Sequence, residues 1–186
     1  MSLELPISTD RLVLRAYRTE DTGAFHAIYS QPEVAKYLLD EPWTPEVAQA
    51  KIAERILRTG LDSDAHMLGL VIEFDGTAIG DVMIWLTDIE RGVAEIGWAL
   101  DPAFGGNGYA REAAAALLDV AFDVYELHRV AAQLDPRNVA SAKLAEGLGM
   151  RREAHLRQNW WSKGEWTDTV VYGLLASDRE IGSRAQ

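Results

Sequence analysis

Three glycines in four positions, Gly105, Gly106 and Gly108, stand with Asn107 between a strand-like stretch ending at Leu100-Asp101-Pro102 and an amphipathic helix starting near Tyr109. Without Cβ atoms the backbone there can approach a polyanion closely, and the helix aims its unpaired N–H groups and positive dipole end at the same place. A diphosphate could rest on main-chain donors between Gly106 and Ala110, with Arg111 and Lys143 as charge partners at longer range. Taken alone, the run is equally an ordinary tight turn. It does not fit the dinucleotide fingerprint, because Arg111 occupies the third glycine position counted from Gly106, and the Gly-Lys-Ser/Thr of a P-loop is missing.

Glu95 is an acid inside the otherwise apolar run Val93 to Leu100 that leads into the loop. A carboxylate there could accept a proton, although strand alternation also allows a charge that faces solvent. Asn138 precedes a second, shorter helix in a favoured capping position, and Ser141 lies in that helix's first turn. The histidines at 26, 66, 128 and 155 lack the i, i+4 spacing of a metal site, so no metal is expected.

Positioning these residues takes strands and helices in a particular order. Arg11 to Tyr17 alternates as a first strand, Thr19 is placed to cap a helix carrying Ala24, Phe25, Ile28 and Tyr29, and Pro32 should end that helix. Thr44 and Pro45 open another helix, with Ala48, Ile52 and Ile56 at four-residue spacing. His66 to Phe74 and Thr77 to Leu86 form a hairpin about Asp75-Gly76. Val93 to Leu100, the helix with its stripe Ala110, Ala113, Ala114, Leu117, Leu118, Ala121 and Phe122, and Val130 to Leu134 make a β-α-β unit with two parallel strands. Ligand groups should gather at the carboxyl ends of those strands. A helix from Ala140 to Glu146 and strands near Arg152 to Gln158 and Thr169 to Leu175 complete an α/β domain.

The segment Asn138-Val139-Ala140-Ser141-Ala142-Lys143-Leu144-Ala145-Glu146-Gly147-Leu148-Gly149-Met150 follows Val130 to Leu134 as the glycine run follows Val93 to Leu100. Together the two blocks resemble the GNAT superfamily of N-acetyltransferases, with a Gly-x-Gly loop after the fourth strand and an Asn-x-x-Ala/Ser helix after the fifth. Thr9-Asp10-Arg11-Leu12-Val13-Leu14-Arg15 is similar to the first strand of the branch that includes the ribosomal-protein N-terminal, or Rim-type, acetyltransferases. The resemblance implies a GNAT fold, that is, one mixed, largely antiparallel sheet of six to seven strands with helices on both faces. It implies acetyl-CoA as co-substrate, with its diphosphate at Gly105, Gly106, Asn107, Gly108, Tyr109 and Ala110, and its pantetheine arm along the backbone of Trp98, Ala99 and Leu100. It adds an amide contact from Asn138, a carboxylate base at Glu95 and a hydroxyl at Ser141 facing the coenzyme sulfur. Two positions depart from the pattern: Ala103 stands where many relatives have Gln or Arg, and Ala145 where others have a proton-donating Tyr.

The acceptor this implies is a primary amine. For an α-amine, removal of the proton at pH 7 costs about 1.4 kcal/mol, against about 4.6 kcal/mol for a lysine. A modest base therefore suffices for a protein or peptide N-terminus, which is the expected acceptor. A small polyamine or aminoglycoside-like amine is the alternative acceptor, and a non-catalytic acyl-CoA-binding module the alternative class. Trp160, Trp161 and Trp166 around Lys163-Gly164 could wall an acceptor pocket, form the contact of a homodimer, or pack on the core. Core or interface is the expectation.

Composition sets the outer bounds. The 186 residues, 48% of them apolar, suit a single domain over residues 1–186, with 182–186 expected as a disordered tail. Cysteine is absent, which excludes disulfides, thiolate metal sites and a cysteine nucleophile and is compatible with a reducing compartment. No apolar run approaches eighteen residues and the N-terminus lacks a signal pattern, so a soluble, cytoplasmic, membrane-free protein is expected. Of the net charge of −11, residues 1–100 carry 17 acids against 8 bases and residues 101–186 carry 12 against 10. That field disfavours nucleic acid and suits a cationic partner.

Overall fold

A computed structural model describes residues 3–183. Its sheet contains β1 (Ile7–Ser8), β2 (Val13–Arg15), β3 (Thr59–Gly60), β4 (Met67–Phe74), β5 (Thr77–Asp88), β6 (Val93–Leu100), β7 (Arg129–Leu134), β8 (Arg151–Ser162) and β9 (Glu165–Leu175). The strands lie in the order β1-β2-β4-β5-β6-β7-β9-β8, with β3 paired to β4. The β6–β7 pair is parallel, whereas its neighbours β5–β6 and β7–β9 are antiparallel. The seven expected strands are present. The count rises to nine because β1 and β3 are two residues each, too short to show alternation.

The described residues form six α-helices: α1 (Thr22–Tyr29), α2 (Pro32–Ala35), α3 (Pro45–Arg55), α4 (Tyr109–Asp119), α5 (Val139–Gly147) and α6 (Ala176–Ser183). The buried stripe Ala113, Ala114, Leu117 and Leu118 of α4 continues through a π-turn at Val120–Val124 to Ala121 and Phe122. It packs on Val82 and Ile84 of β5, Ala94 and Ile96 of β6, and Val130 and Ala132 of β7. Small alanines let the helix come close to the strands, and the buried leucines supply apolar area worth about 25 cal/mol per Å². On the other face α1 and α3 enclose a second cluster of Tyr17, Phe25, Ile28, Tyr29, Trp43, Ala48 and Ile52 against Val71 and Ala99.

Local chemistry explains most of the boundaries. Thr44 caps α3 by accepting from the N–H of Val47 at 3.3 Å, and Pro45 opens the helix. Asp75 and Gly76 both take positive φ, 48° and 73°, as the tight β4–β5 turn requires. Three expectations change. Thr19 lies inside a 3-10 turn, Thr19–Asp21, where Asp21 accepts from the N–H of Arg18 and α1 starts later. Pro32 opens α2 instead of merely ending α1, since a proline lacks only an N–H that the first turn leaves unpaired anyway. Gly182 and Ser183, expected in a tail, close α6, while 184–186 lie outside the described residues.

Candidate active site

The parallel ladder between β6 and β7 runs from Val93↔Arg129 through Glu95↔Ala131 and stops there, although β6 continues to Leu100 and β7 to Leu134. Beyond Glu95 the two strands diverge into a fork. Trp98, Ala99 and Leu100 pair with Val82, Asp81 and Gly80 of β5 on one side, and their edge toward β7 carries no ladder among the described residues. An extended, amide-containing chain entering the fork would meet strand backbone of the kind that normally takes another strand.

At the mouth of the fork the chain turns through Pro102–Phe104 into the glycine loop. Gly105 donates its N–H to the carbonyl of Pro102 at 3.0 Å, so that amide is spent and the expected cradle loses its first residue. The next six donors, from Gly106 through Arg111, have no partner among the described residues, the first intrahelical bond being from the N–H of Glu112 to Gly108. Gly106 and Gly108 take φ of 78° and 81°, the left-handed conformation that turns successive amides to one side. Asn107 folds its side-chain amide back to the carbonyls of Phe104 and Gly105, at 3.2 and 3.1 Å. The Tyr109 ring lies 4.7 Å from that of Phe74, which anchors the start of α4 on β4.

The long side chains expected at this anion site are less committed. Arg111 extends along α4 toward Gly147, where an added Cβ would lie 3.5 Å from its Nε, so it runs toward the carboxyl end of α5. Lys143 is exposed on α5. Asn138 caps α5, its Oδ1 accepting from the N–H of Ser141 at 3.1 Å, which leaves its NH2 group as the part able to reach a ligand.

Glu95 and Ser141 flank the fork from opposite faces. Glu95 shares strand parity with Ala99, which belongs to the α1–α3 cluster. It accepts a hydrogen bond from Gln133 Nε2 at 2.9 Å, a partner on β7 that sequence reasoning missed and that its alternation with Ala131 could have flagged. Burial pushes the Glu95 carboxyl above the ordinary carboxylate range, and the Gln133 bond offsets only part of that. Ser141 sits on the other face, where Trp98 packs against the α4 side of the core. The indole Nε1–H of Trp98 donates to Ser141 Oγ at 3.2 Å, so the serine's own proton is left to be given elsewhere. Ala145 is fully buried under α5, and no proton donor stands at that position.

About 13 Å along β6 from Glu95, the α1–α3 face is tied together by charge. Asp81, fully buried, accepts from the hydroxyls of Tyr17 and Tyr29 at 2.6 and 2.7 Å and pairs with Arg55. The Arg55 guanidinium lies 4.7 Å from the ring centroid of Tyr29 and 4.8 Å from that of Trp43. Burial, then the Asp81 charge, holds both phenols well above the usual tyrosine range. Opposite this cluster, Lys163 at the β8–β9 turn donates to the carbonyl of Ala35 at the end of α2. Trp160, Trp161 and Trp166 are 47%, 58% and 57% exposed, which removes the core reading: the first two lie on the edge strand β8, and Trp166 pairs with Trp161 across the β8–β9 hairpin.

Residues 11–151 match the acetyltransferase (GNAT) domain family. The chain belongs to the GNAT acetyltransferases. This GNAT protein is 33% identical to the uncharacterized N-acetyltransferase p20 of Bacillus licheniformis over 168 residues, 90% of this chain and 94% of the relative. Its fold superposes with a TM-score of 0.81 on a GNAT-family acetyltransferase from Bacillus anthracis, 27% identical, covering 93% of this chain and 99% of that one. The RimL ribosomal L7/L12 α-N-protein acetyltransferase bound to coenzyme A gives a TM-score of 0.82 at 20% identity, covering 92% and 98% of the two chains. The protein is thus an acetyl-CoA-dependent N-acetyltransferase of mixed α/β fold. No helix among the described residues is long and apolar enough to cross a membrane.

Proposed function

We propose that this acetyltransferase moves the acetyl group of acetyl-CoA to the N-terminal α-amine of a protein or peptide. The donor half of the reading rests on the six free amides from Gly106 to Arg111, which fit a diphosphate, and on the open edge of β6, which fits the pantetheine arm. In this reading Glu95 takes the proton of the incoming amine on the α1–α3 face, and Ser141 gives its proton to the departing thiolate on the other. Holding the amine against the thioester carbonyl supplies much of the remaining acceleration.

One observation carries the acceptor class. Glu95 is a half-buried carboxylate with a single neutral partner, whereas on the adjoining strands Asp81 pairs with Arg55, Asp88 with Arg91 and Glu153 with Arg129. Asp135 and Glu165 share Arg137, and Asp168 holds His155 at 2.7 Å. A polyamine would need several unneutralised carboxylates along the groove, while an α-amine needs one base of modest strength.

The test is release of free thiol from acetyl-CoA with a panel of acceptors. Turnover with unblocked peptides, abolished by blocking their N-termini, is the expected outcome. Turnover confined to spermidine-like amines gives the acceptor site to polyamines, and tight CoA binding with no turnover on any amine makes the chain a binding module.

A further inference from the structure

We propose that Arg11 is a positioning residue of the donor site. It holds the glycine loop and the first turn of α4 in the arrangement that presents the free amides, and it neutralises Glu112 so that a diphosphate can approach. The inference deepens the acetyl-CoA reading and rests on it. What it adds is a function for the Thr9-Asp10-Arg11 segment, which lies about a hundred residues upstream of the loop and outside every group so far placed against a ligand.

The contacts converge from both partners. Arg11 donates from Nη1 to the carbonyl of Asn107 at 3.0 Å and from Nε to Glu112 Oε2 at 2.7 Å, and its Nη2 lies 2.7 Å from the same oxygen. Its guanidinium covers the Tyr109 ring at 4.6 Å. The other carboxylate oxygen of Glu112 accepts from Thr9 Oγ1 at 2.6 Å and from the backbone N–H of Arg11 at 2.9 Å. Each nitrogen of the guanidinium makes one contact to the loop or to α4, which uses three of its five N–H donors and ties the two elements together through Arg11.

Two physical consequences follow. A carbonyl and an amide of one peptide unit point in opposite directions, so fixing the Asn107 carbonyl on Arg11 fixes the following N–H, that of Gly108, toward the other side. Without Arg11, moreover, a carboxylate would face the site of a diphosphate from one helical turn away, and like charges at that range repel. Gly108 lies against the clamp, the place of its missing Cβ being 3.5 Å from Arg11 Nη2, an ordinary contact distance. Lysine keeps the charge but lacks the planar fork that meets Glu112 through two nitrogens and the Asn107 carbonyl through the third.

The experiment compares Arg11→Met, Arg11→Lys and the double variant Arg11→Met/Glu112→Gln with the parent, using two donors. Acetyl-CoA carries the diphosphate, and S-acetylpantetheine carries the same thioester arm without it. Arg11→Met should raise the acetyl-CoA KM about tenfold, the scale of one lost charge-assisted contact, with kcat and acceptor KM within about twofold. Its kcat/KM with S-acetylpantetheine should equal the parent's, Arg11→Lys should fall between, and the double variant should recover part of the loss because the unpaired carboxylate is gone. An unchanged acetyl-CoA KM, or an equal loss with both donors, overturns the inference and leaves Arg11 as a strut of the fold. If Arg11→Met does not fold, Arg11→Lys against Glu112→Gln carries the same donor comparison. Titration of CoA into the parent keeps the two levels apart. Absence of binding there defeats the donor reading itself, whereas binding that Arg11→Met leaves unaltered defeats only the role of Arg11.

Discussion

Around the glycine loop six successive main-chain amides, Gly106 through Arg111, have no partner among the described residues. The α1–α3 face of the same strand is organised instead by buried side chains, Arg55 and Asp81 among the rings of Tyr17, Phe25, Tyr29 and Trp43. A backbone site needs only a permissive conformation, so it tolerates change at most neighbouring positions and shows itself as glycine spacing. A side-chain site needs particular residues brought together from Tyr17 to Asp81, and nothing in linear spacing announces it.

The sharpest way to break that comparison is at Asp81. Removing its carboxylate leaves the Arg55 charge buried without a partner, together with two tyrosine hydroxyls, and a lost partner of this kind costs about 3–5 kcal/mol. Asp81→Ala should therefore lower the urea midpoint strongly, while any protein that remains folded binds CoA as before. If the midpoint stays put, side-chain charge does not hold the acceptor face together, and the contrast drawn between the two faces fails.

Glu95→Gln separates the halves through activity. Loss of a general base costs about a hundredfold in kcat/KM at neutral pH, and CoA affinity should not move because the residue does not touch the diphosphate loop. The sign of its stability effect is opposite to that of Asp81. Burial raises the Glu95 pKa in the folded state, so the fold favours its protonated form, and stability from this group falls as pH rises from the unfolded value, about 4.3, through the folded one. The Gln variant should melt at or above the parent's temperature at pH 7, with the gap closing below about pH 4. A variant as active as the parent across the pH range would take Glu95 out of the mechanism.

These two positions also mark how far the sequence could be read. The parallel pair, the glycine loop, the hairpin at Asp75-Gly76 and the two helices that follow β6 and β7 were legible, because each is written in local periodicity or turn chemistry. The pairing of Glu95 with Gln133 was not, since it depends on the register of two strands nearly forty residues apart. Nor was the Asp81 cluster: a lone acid in an apolar strand looks the same whether it faces water, as strand alternation would allow, or ends up fully buried against an arginine. Of the two expectations for the tryptophans at the β8–β9 turn, core and interface, the core one fails, because apolar character does not reveal that a strand lies at the edge of a sheet.

Gly108→Val tests the backbone half directly. The position holds φ of 81°, a conformation a β-branched residue enters at a cost of about 1–3 kcal/mol. Calorimetry should show CoA binding weakened about tenfold or more, with the acceptor KM little changed. Equal weakening for donor and acceptor would mean that the two faces are coupled through the fork.

The smallest expected effect concerns Trp98, whose ring belongs to the core on one face while its N–H reaches Ser141 at the fork. Trp98→Phe keeps an aromatic ring in place and removes the donor that orients the serine hydroxyl, a loss of about 1 kcal/mol, or roughly fivefold in kcat, with acetyl-CoA KM unaltered. Because the serine is assigned to protonating the leaving thiolate, the deficit should shrink with an aryl thioester donor, whose thiolate departs without needing a proton. A deficit of the same size for both leaving groups would reduce Trp98 to packing and leave the fork with a working side chain on its Glu95 face alone.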